Sequence, residues 1–291
     1  MTFIPSGDGT PIALHELAGL PGAQHPVVLF AHATGFHGRA YLPVAEALAP
    51  RFHSFGADLR GHGDSVIAPG WDVDWERYGE DVLAVTEHLA RQPGGADGII
   101  GVGHSMGGGA LLMAAHAAPR RFRLLVLFEP IVLPTDLPPT ERRPQSNLPA
   151  GSRRRRETFP SIDAAILNFA SKPPMQSFTP AALDAYVRHG FGEDPETGDV
   201  RLKCDREHEA RTFEEGGVHR TWDLLPAISV PTVVVAGELT EHQPSAMAEA
   251  IADRMPAGRF LELPELDHFA PMTDPERFAA LIAGEAGSLA V

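Results

Sequence analysis

The chain has 291 residues, of which 43% are hydrophobic and 21% charged, the mixture of an ordinary globular protein with enough apolar side chains for one large core. A formal net charge of −14 excludes the basic stripe that a nucleic-acid surface needs to neutralise phosphates. Cys204 is the single cysteine, so no intrachain disulfide is possible, and no apolar run approaches the roughly 20 residues that span a bilayer.

Met1 to Asp8 carry neither a basic stretch nor an apolar core, so no signal peptide is expected there and the chain reads as cytoplasmic. Short β-branched runs then alternate with helical patterns. Strands are predicted at Pro26 to Ala33, His53 to Arg60, Asp97 to Gly103 and Arg123 to Glu129. Between them helices are predicted at Tyr41 to Ala49, Trp75 to Arg91 and Gly107 to Ala118. From about Ile131 to Trp222 the rhythm breaks into a proline-rich stretch, the arginine run Arg153 to Arg156, and short helices such as Ser161 to Ala170 and Pro180 to His189. It resumes with strands at Thr232 to Ala236 and Arg259 to Leu263, each followed by a helix, Ser245 to Met255 and Pro275 to Ala283. The alternation predicts an α/β fold with a mostly parallel sheet covered by helices. The break predicts two units, a core from residues 1–130 and 223–291 and an insertion over 131–222.

Gly103-His104-Ser105-Met106-Gly107 lies between a predicted strand and a predicted helix. This is the setting of a nucleophile elbow, where the turn is so tight that glycines are wanted two residues either side of the serine. Three other segments stand in the right order around it: His32-Ala33-Thr34-Gly35-Phe36 after an apolar strand, Asp58-Leu59-Arg60-Gly61-His62-Gly63-Asp64-Ser65 after the next, and Asp267-His268-Phe269 ahead of the last helix. With these four features the chain resembles the α/β-hydrolase family over nearly all of its length outside the insertion. The resemblance implies an eight-stranded sheet with helices on both faces and an inserted, mainly helical cap after the sixth strand. It also implies Ser105 as nucleophile, His268 as its base, and the backbone N–H groups of Met106 and Thr34 as the oxyanion hole. Ala33 replaces the glycine more usual after His32, which leaves Gly35 as an alternative to Thr34.

The residue types fit acyl transfer. A serine hydroxyl needs a base to take its proton as it attacks, and an imidazole needs a carboxylate on its other nitrogen to fix its tautomer. The family's usual acid follows the seventh strand, three residues after a glycine, but Gly237-Glu238-Leu239-Thr240 puts a threonine there. Two carboxylates can substitute: Glu129, at the end of the sixth strand, and Glu241, one residue beyond Thr240. A half-buried carboxylate after an apolar run is costly without a partner, which favours Glu129; Glu238, Asp267 or no acid at all complete the alternatives.

His32 and His104 read as structural hydrogen-bonding residues, and Asp58 and Arg60 as loop braces. The arginine run reads as a solvated face, with attraction of an anion as the alternative. Trp222 is a candidate pocket residue. Ile162, Ile166, Phe169, Met175, Phe178, Leu183 and Tyr186 are candidates for an apolar pocket or for helix packing. Gly101-Val102-Gly103-His104-Ser105-Met106 lacks the third glycine of a dinucleotide fingerprint, and His208-Glu209 has no second histidine in zincin register, so neither a cofactor nor a metal is expected. The expected function is a cofactor-free serine hydrolase of a small to medium carboxylic ester, thioester or lactone, acting through an acyl-enzyme on a small-molecule substrate. A carbon–carbon bond hydrolase of the same fold and a non-catalytic binding relic are the alternatives.

Overall fold

The central apolar runs become strands because they are buried on both faces, and helices cover those faces. A computed structural model describes residues 1–67, 70–138, 147–239 and 244–288. In chain order the strands are β1 (Thr2–Pro5), β2 (Pro11–Ala18), β3 (Val27–Ala31), β4 (His53–Asp58), β5 (Ile99–His104), β6 (Phe122–Phe128), β7 (Thr158–Phe159), β8 (Phe191–Glu193), β9 (Val200–Leu202), β10 (Thr232–Ala236) and β11 (Gly258–Glu262). Eight of them form one sheet in the order β1-β2-β4-β3-β5-β6-β10-β11. The pairings β1 with β2 and β2 with β4 are antiparallel, and every other pairing is parallel. The predicted parallel strands are all present. The antiparallel β1 and β2 are additions that the sequence reading left unnamed.

Alternate residues of β3 enter opposite layers. Val27, Leu29 and Ala31 pack with Tyr78, Val82 and Leu89 of helix α2 (Trp75–Leu89) and with Leu111 and Leu112 of α3 (Met106–Ala117). Val28 and Phe30 pack with Val44 and Leu48 of α1 (Leu42–Leu48) and with Phe278 and Ile282 of the last helix, Pro275–Ser288. This two-sided burial explains why β3, β4, β5 and β10 are buried at every residue.

The chain order reverses at β3, with β4 on one side and β5 on the other. In open α/β sheets such a switch point places the binding crevice beyond the carboxyl ends of the strands. His32 follows β3, Ser105 follows β5 and Glu129 follows β6, so three of the singled-out segments leave the sheet at this edge.

Between β6 and β10 the chain leaves the sheet. The helices Leu148–Arg154, Ile162–Ala170, Pro180–Gly190, Arg206–Glu214 and Thr221–Leu224 lie there, together with a second, antiparallel sheet in the order β7-β9-β8. The segment is mainly helical as expected, and the small sheet is an addition to that reading; its strands of two and three residues are too short to show a period of two in sequence. Phe169, Phe178, Leu183 and Tyr186 are buried in the same apolar layer as α1. Trp222 is partly buried against the opposite layer with Arg254 over its ring.

In the arginine run Arg153, Arg154 and Arg156 are exposed, as the solvated-face reading has it, and Arg155 is half-buried; three of the four also have partners. Arg153 pairs with Glu207 (2.7 Å) and Glu214 (2.6 Å), Arg155 with Glu209 (2.6 Å), and the Arg156 guanidinium lies 4.3 Å from the Phe159 ring centre. Three of the four charges are therefore spent on the insertion itself. No helix among the described residues is long and apolar enough to cross a membrane.

Candidate active site

Ser105 joins β5 to α3 with φ 54° and ψ −113°, backbone space that an L-residue occupies at a cost of about 1–3 kcal/mol. Its flanking glycines are steric necessities: a Cβ at Gly107 would stand 2.0 Å from the Ala31 carbonyl oxygen, and one at Gly103 would stand 2.6 Å from the Gly108 Cα. The turn is held from both neighbours, Ser105 N–H donating to Phe128 O (3.0 Å) and Gly107 N–H to His32 O (3.0 Å). Among the described residues Ser105 and Glu129 (φ 45°) are the two non-glycine positions with positive φ. Both follow adjacent parallel strands, and such strain clusters where a site over-determines the backbone.

Glu129 is 2% exposed, and its two carboxylate oxygens have separate partners. Oε1 accepts the Gly237 N–H (2.9 Å), and Oε2 lies 2.5 Å from Nδ1 of His268. The glycine that marks the family's usual acid position thus serves here to hold the carboxylate arriving from β6. Asp267 accepts its own neighbour's N–H, that of Phe269, at 2.9 Å, and Glu238 has an exposed side chain. Glu241, the alternative acid, lies outside the described residues. The His268 ring stands 4.9 Å, centre to centre, from the ring of His104, the residue before Ser105.

Thr34 and Met106 are brought side by side, with Thr34 Oγ1 donating to Met106 Sδ at 3.5 Å. Met106 opens α3, so its N–H has no carbonyl partner inside the helix. The Thr34 peptide is set by His32. Leu59 N–H donates to His32 Nε2 (2.9 Å), which leaves the ring proton on Nδ1 to donate to the Ala33 carbonyl (2.8 Å). That carbonyl also accepts the Phe36 N–H (3.0 Å), closing a turn with Gly35 at φ 78°. With the Ala33 oxygen held by two donors, the N–H on the other side of the planar Ala33–Thr34 peptide points the opposite way. The Ala33 N–H is engaged by the Tyr41 hydroxyl (3.3 Å), which also bonds His104 Nδ1 (2.8 Å).

Asp58 braces loops, as expected: it accepts from Gly38 N–H (2.7 Å), Asp64 N–H (2.7 Å) and His15 Nε2 (2.9 Å). With Asp64 and His15 it is the one group of possible metal ligands among the described residues, but the Lys203 ammonium already stands 2.6 Å from Asp64. The cation of that cluster is the lysine. Tyr41 and Gly237 are site residues that the sequence reading missed; their partners are 63 and 108 residues away, and no local pattern signals such pairs.

Several histidines around the site are buried and neutral. Burial pushes His32, His37 and His208 each down to about 4 from the usual 6.5. Because the unfolded chain binds protons on these groups from about pH 6.5 downward and the folded chain does not until about pH 4, stability is intact above that window and falls within it. Each histidine contributes up to about 1.4 kcal/mol per pH unit there. Thermal melts at pH 7 and pH 5 are expected to show a lower Tm at pH 5, and an unchanged Tm would contradict burial of the neutral rings.

A sequence model described as the alpha/beta hydrolase family matches residues 28–281. The chain belongs to that family. This hydrolase is 27% identical over 198 residues to a type I acyl-CoA thioesterase of Penicillium brevicompactum, a match covering 66% of the chain and 42% of the relative. It is 35% identical over 105 residues to the lipase LipV of Mycobacterium tuberculosis, covering 36% of the chain and 37% of the lipase. The chain thus matches less than half the length of these curated relatives. Among solved structures, E-2-(acetamidomethylene)succinate hydrolase superposes with a TM-score of 0.77 at 23% identity over 98% of both chains, a likeness of fold.

Proposed function

We propose that the hydrolase uses Ser105 as nucleophile against a small to medium carboxylic ester or thioester. The observation that carries this reading is the Glu129–His268 contact of 2.5 Å, with the His268 ring 4.9 Å from that of His104, the residue before a serine held at positive φ. In the proposed mechanism Ser105 Oγ attacks the substrate carbonyl as His268 Nε2 takes its proton. Glu129 keeps the other ring proton on Nδ1 and stabilises the imidazolium. The N–H groups of Met106 and Thr34 receive the developing oxyanion, and removal of one such donor typically costs about 3 kcal/mol. His268 then protonates the leaving group, and water, activated by the same histidine, releases the acid. The thioesterase and lipase among the relatives support carbonyl substrates.

The insertion is the proposed cap. Its Phe178 ring stands 5.7 Å from Phe269, the neighbour of His268, and 6.2 Å from Phe36, two residues beyond Thr34. These rings supply an apolar wall for the acyl or leaving group.

Hydrolysis of p-nitrophenyl esters from acetyl to octanoyl by wild type and Ser105→Ala tests the reading. Wild-type turnover is expected, with kcat lower by at least ~10³-fold in the variant. Equal turnover by the two proteins would remove Ser105 from the mechanism. Turnover by neither, together with no labelling of Ser105 by a fluorophosphonate, would leave a binding protein.

A further inference from the structure

A buried polar chain runs from the insertion to the turn that carries Thr34. Glu209 Oε2 accepts from Arg155 (2.6 Å), Arg155 donates to the Tyr186 hydroxyl (2.5 Å), and Tyr186 donates to the Gly35 carbonyl (3.2 Å). The directions follow from chemistry. A guanidinium can only donate, so it takes a lone pair of the phenol oxygen and leaves the single phenol proton for Gly35.

Three further contacts bind the same tyrosine to the same turn. Its ring lies 5.0 Å from that of Phe36 and 5.9 Å from that of His37, and its carbonyl is 2.9 Å from His37 Nε2. Glu209 closes the arrangement from above: a Cβ on Gly35 would meet its Oε1 at 2.5 Å. Tyr186 is 1% exposed, and the Arg155 and Glu209 side chains are 16% and 6% exposed. A buried ion pair of this kind adds little stability over apolar residues of similar volume, because its desolvation offsets its attraction. What it does supply is a fixed orientation for the phenol.

We propose that Tyr186, aimed by Arg155 and Glu209, is a positioning residue through which seating of the insertion sets the oxyanion turn. The proposal rests on the serine-hydrolase reading above. The Ala33 carbonyl is held from inside the turn, which sets the direction of the Thr34 N–H, and the Gly35 carbonyl is held from the insertion, so the turn is anchored on both sides of Thr34 only when the insertion is seated. Displacement of the insertion frees Gly35, and the donor loses its preorganisation. The site is thereby competent when covered and slack when open. The residues are 31 to 151 positions apart, and nothing in their local sequence announces the link.

Tyr186→Phe keeps the ring and deletes the hydroxyl. On the best ester of the series its kcat is expected to fall about 10-fold with KM within about 2-fold of wild type, a split that general loosening of the fold would not give. Inactivation by a fluorophosphonate is expected to slow by a similar factor, since the phosphonyl oxygen occupies the same donors. Arg155→Met is expected to behave alike, and the double variant to lose no more than the worse single, because both act through one hydrogen bond. Hydrogen exchange of the backbone amides of residues 34–37 is expected to quicken in Tyr186→Phe while β5 is unchanged.

Unchanged kcat with unchanged exchange in Tyr186→Phe would overturn the proposal. So would an Arg155→Met effect confined to KM for carboxylate-bearing esters, which would make the arginine a substrate anchor. If wild type neither hydrolyses an ester nor takes the fluorophosphonate label, the serine reading falls by itself, and the exchange measurement still decides whether Tyr186 holds the turn.

Discussion

Glu129→Gln is expected to lower kcat for ester hydrolysis by about 10³- to 10⁴-fold with little change in KM. The physical reason is the tautomer. A carboxylate at 2.5 Å from Nδ1 of His268 can only accept, so the proton stays on Nδ1 and Nε2 is free to act as base. A glutamine can turn its NH₂ to that nitrogen, moving the ring proton to Nε2, where it blocks proton transfer from the serine. The amide oxygen can still accept the Gly237 N–H, now 2.9 Å from Oε1, so the fold has no reason to fail, and a wild-type melting curve would confirm it. Glu241→Gln is the matched control and is expected to keep kcat within about 2-fold. The opposite pattern, a silent Glu129→Gln and a crippled Glu241→Gln, would move the acid to the loop after β10.

Asp81→Ala is expected to destabilise the protein by about 3 kcal/mol, the cost of removing the buried partner of Arg60 and leaving it only the half-exposed Asp8. Arg60 is 1% exposed and Asp81 0%. The Asp81 carboxylate accepts from Arg60 Nε (2.9 Å) and from a terminal guanidinium nitrogen of Arg60 (2.6 Å), and also from Ser6 Oγ (2.6 Å). One group therefore ties α2, the loop after β4 and the turn between β1 and β2. Asp8 also pairs with Arg60 at 2.8 Å but is 31% exposed, so solvent screens it and Asp8→Ala is expected to cost about 1 kcal/mol or less. Denaturant unfolding of the two variants checks the ranking; a loss below about 1 kcal/mol for Asp81→Ala would show that the pair contributes nothing net.

The parts of this protein that were legible in the sequence are those whose cause is local. The strands β3 to β6 and β10 were readable because burial on both faces demands unbroken apolar runs, β11 because a short run precedes the last helix in chain order, and the serine elbow because its two glycines stand at fixed spacing about the serine between a strand and a helix. Glu129 could be favoured on energetic grounds, since a carboxylate at the end of a buried strand needs a partner, but the partner itself, 139 residues on, could not be named. β1 escaped because it has four residues of which one is buried, and β2 because its eight residues carry His15 and Glu16 within the run, which breaks the apolar pattern. The arginine run was legible as an exposed face but not in its pairing, because like charges in sequence say nothing of the acids that the helix Arg206–Glu214 sets against them.

By itself, then, the sequence determined the α/β class, the order of the segments around the serine and the short list of acids, because hydrophobic periodicity and turn stereochemistry act over a few residues. Only the tertiary structure decided which carboxylate meets His268, how His32 orients the Thr34 peptide, and that Tyr186 reaches Gly35. Those are hydrogen bonds between side chains and backbone far apart in sequence, whose geometry exists only once the sheet has set the strand ends beside one another.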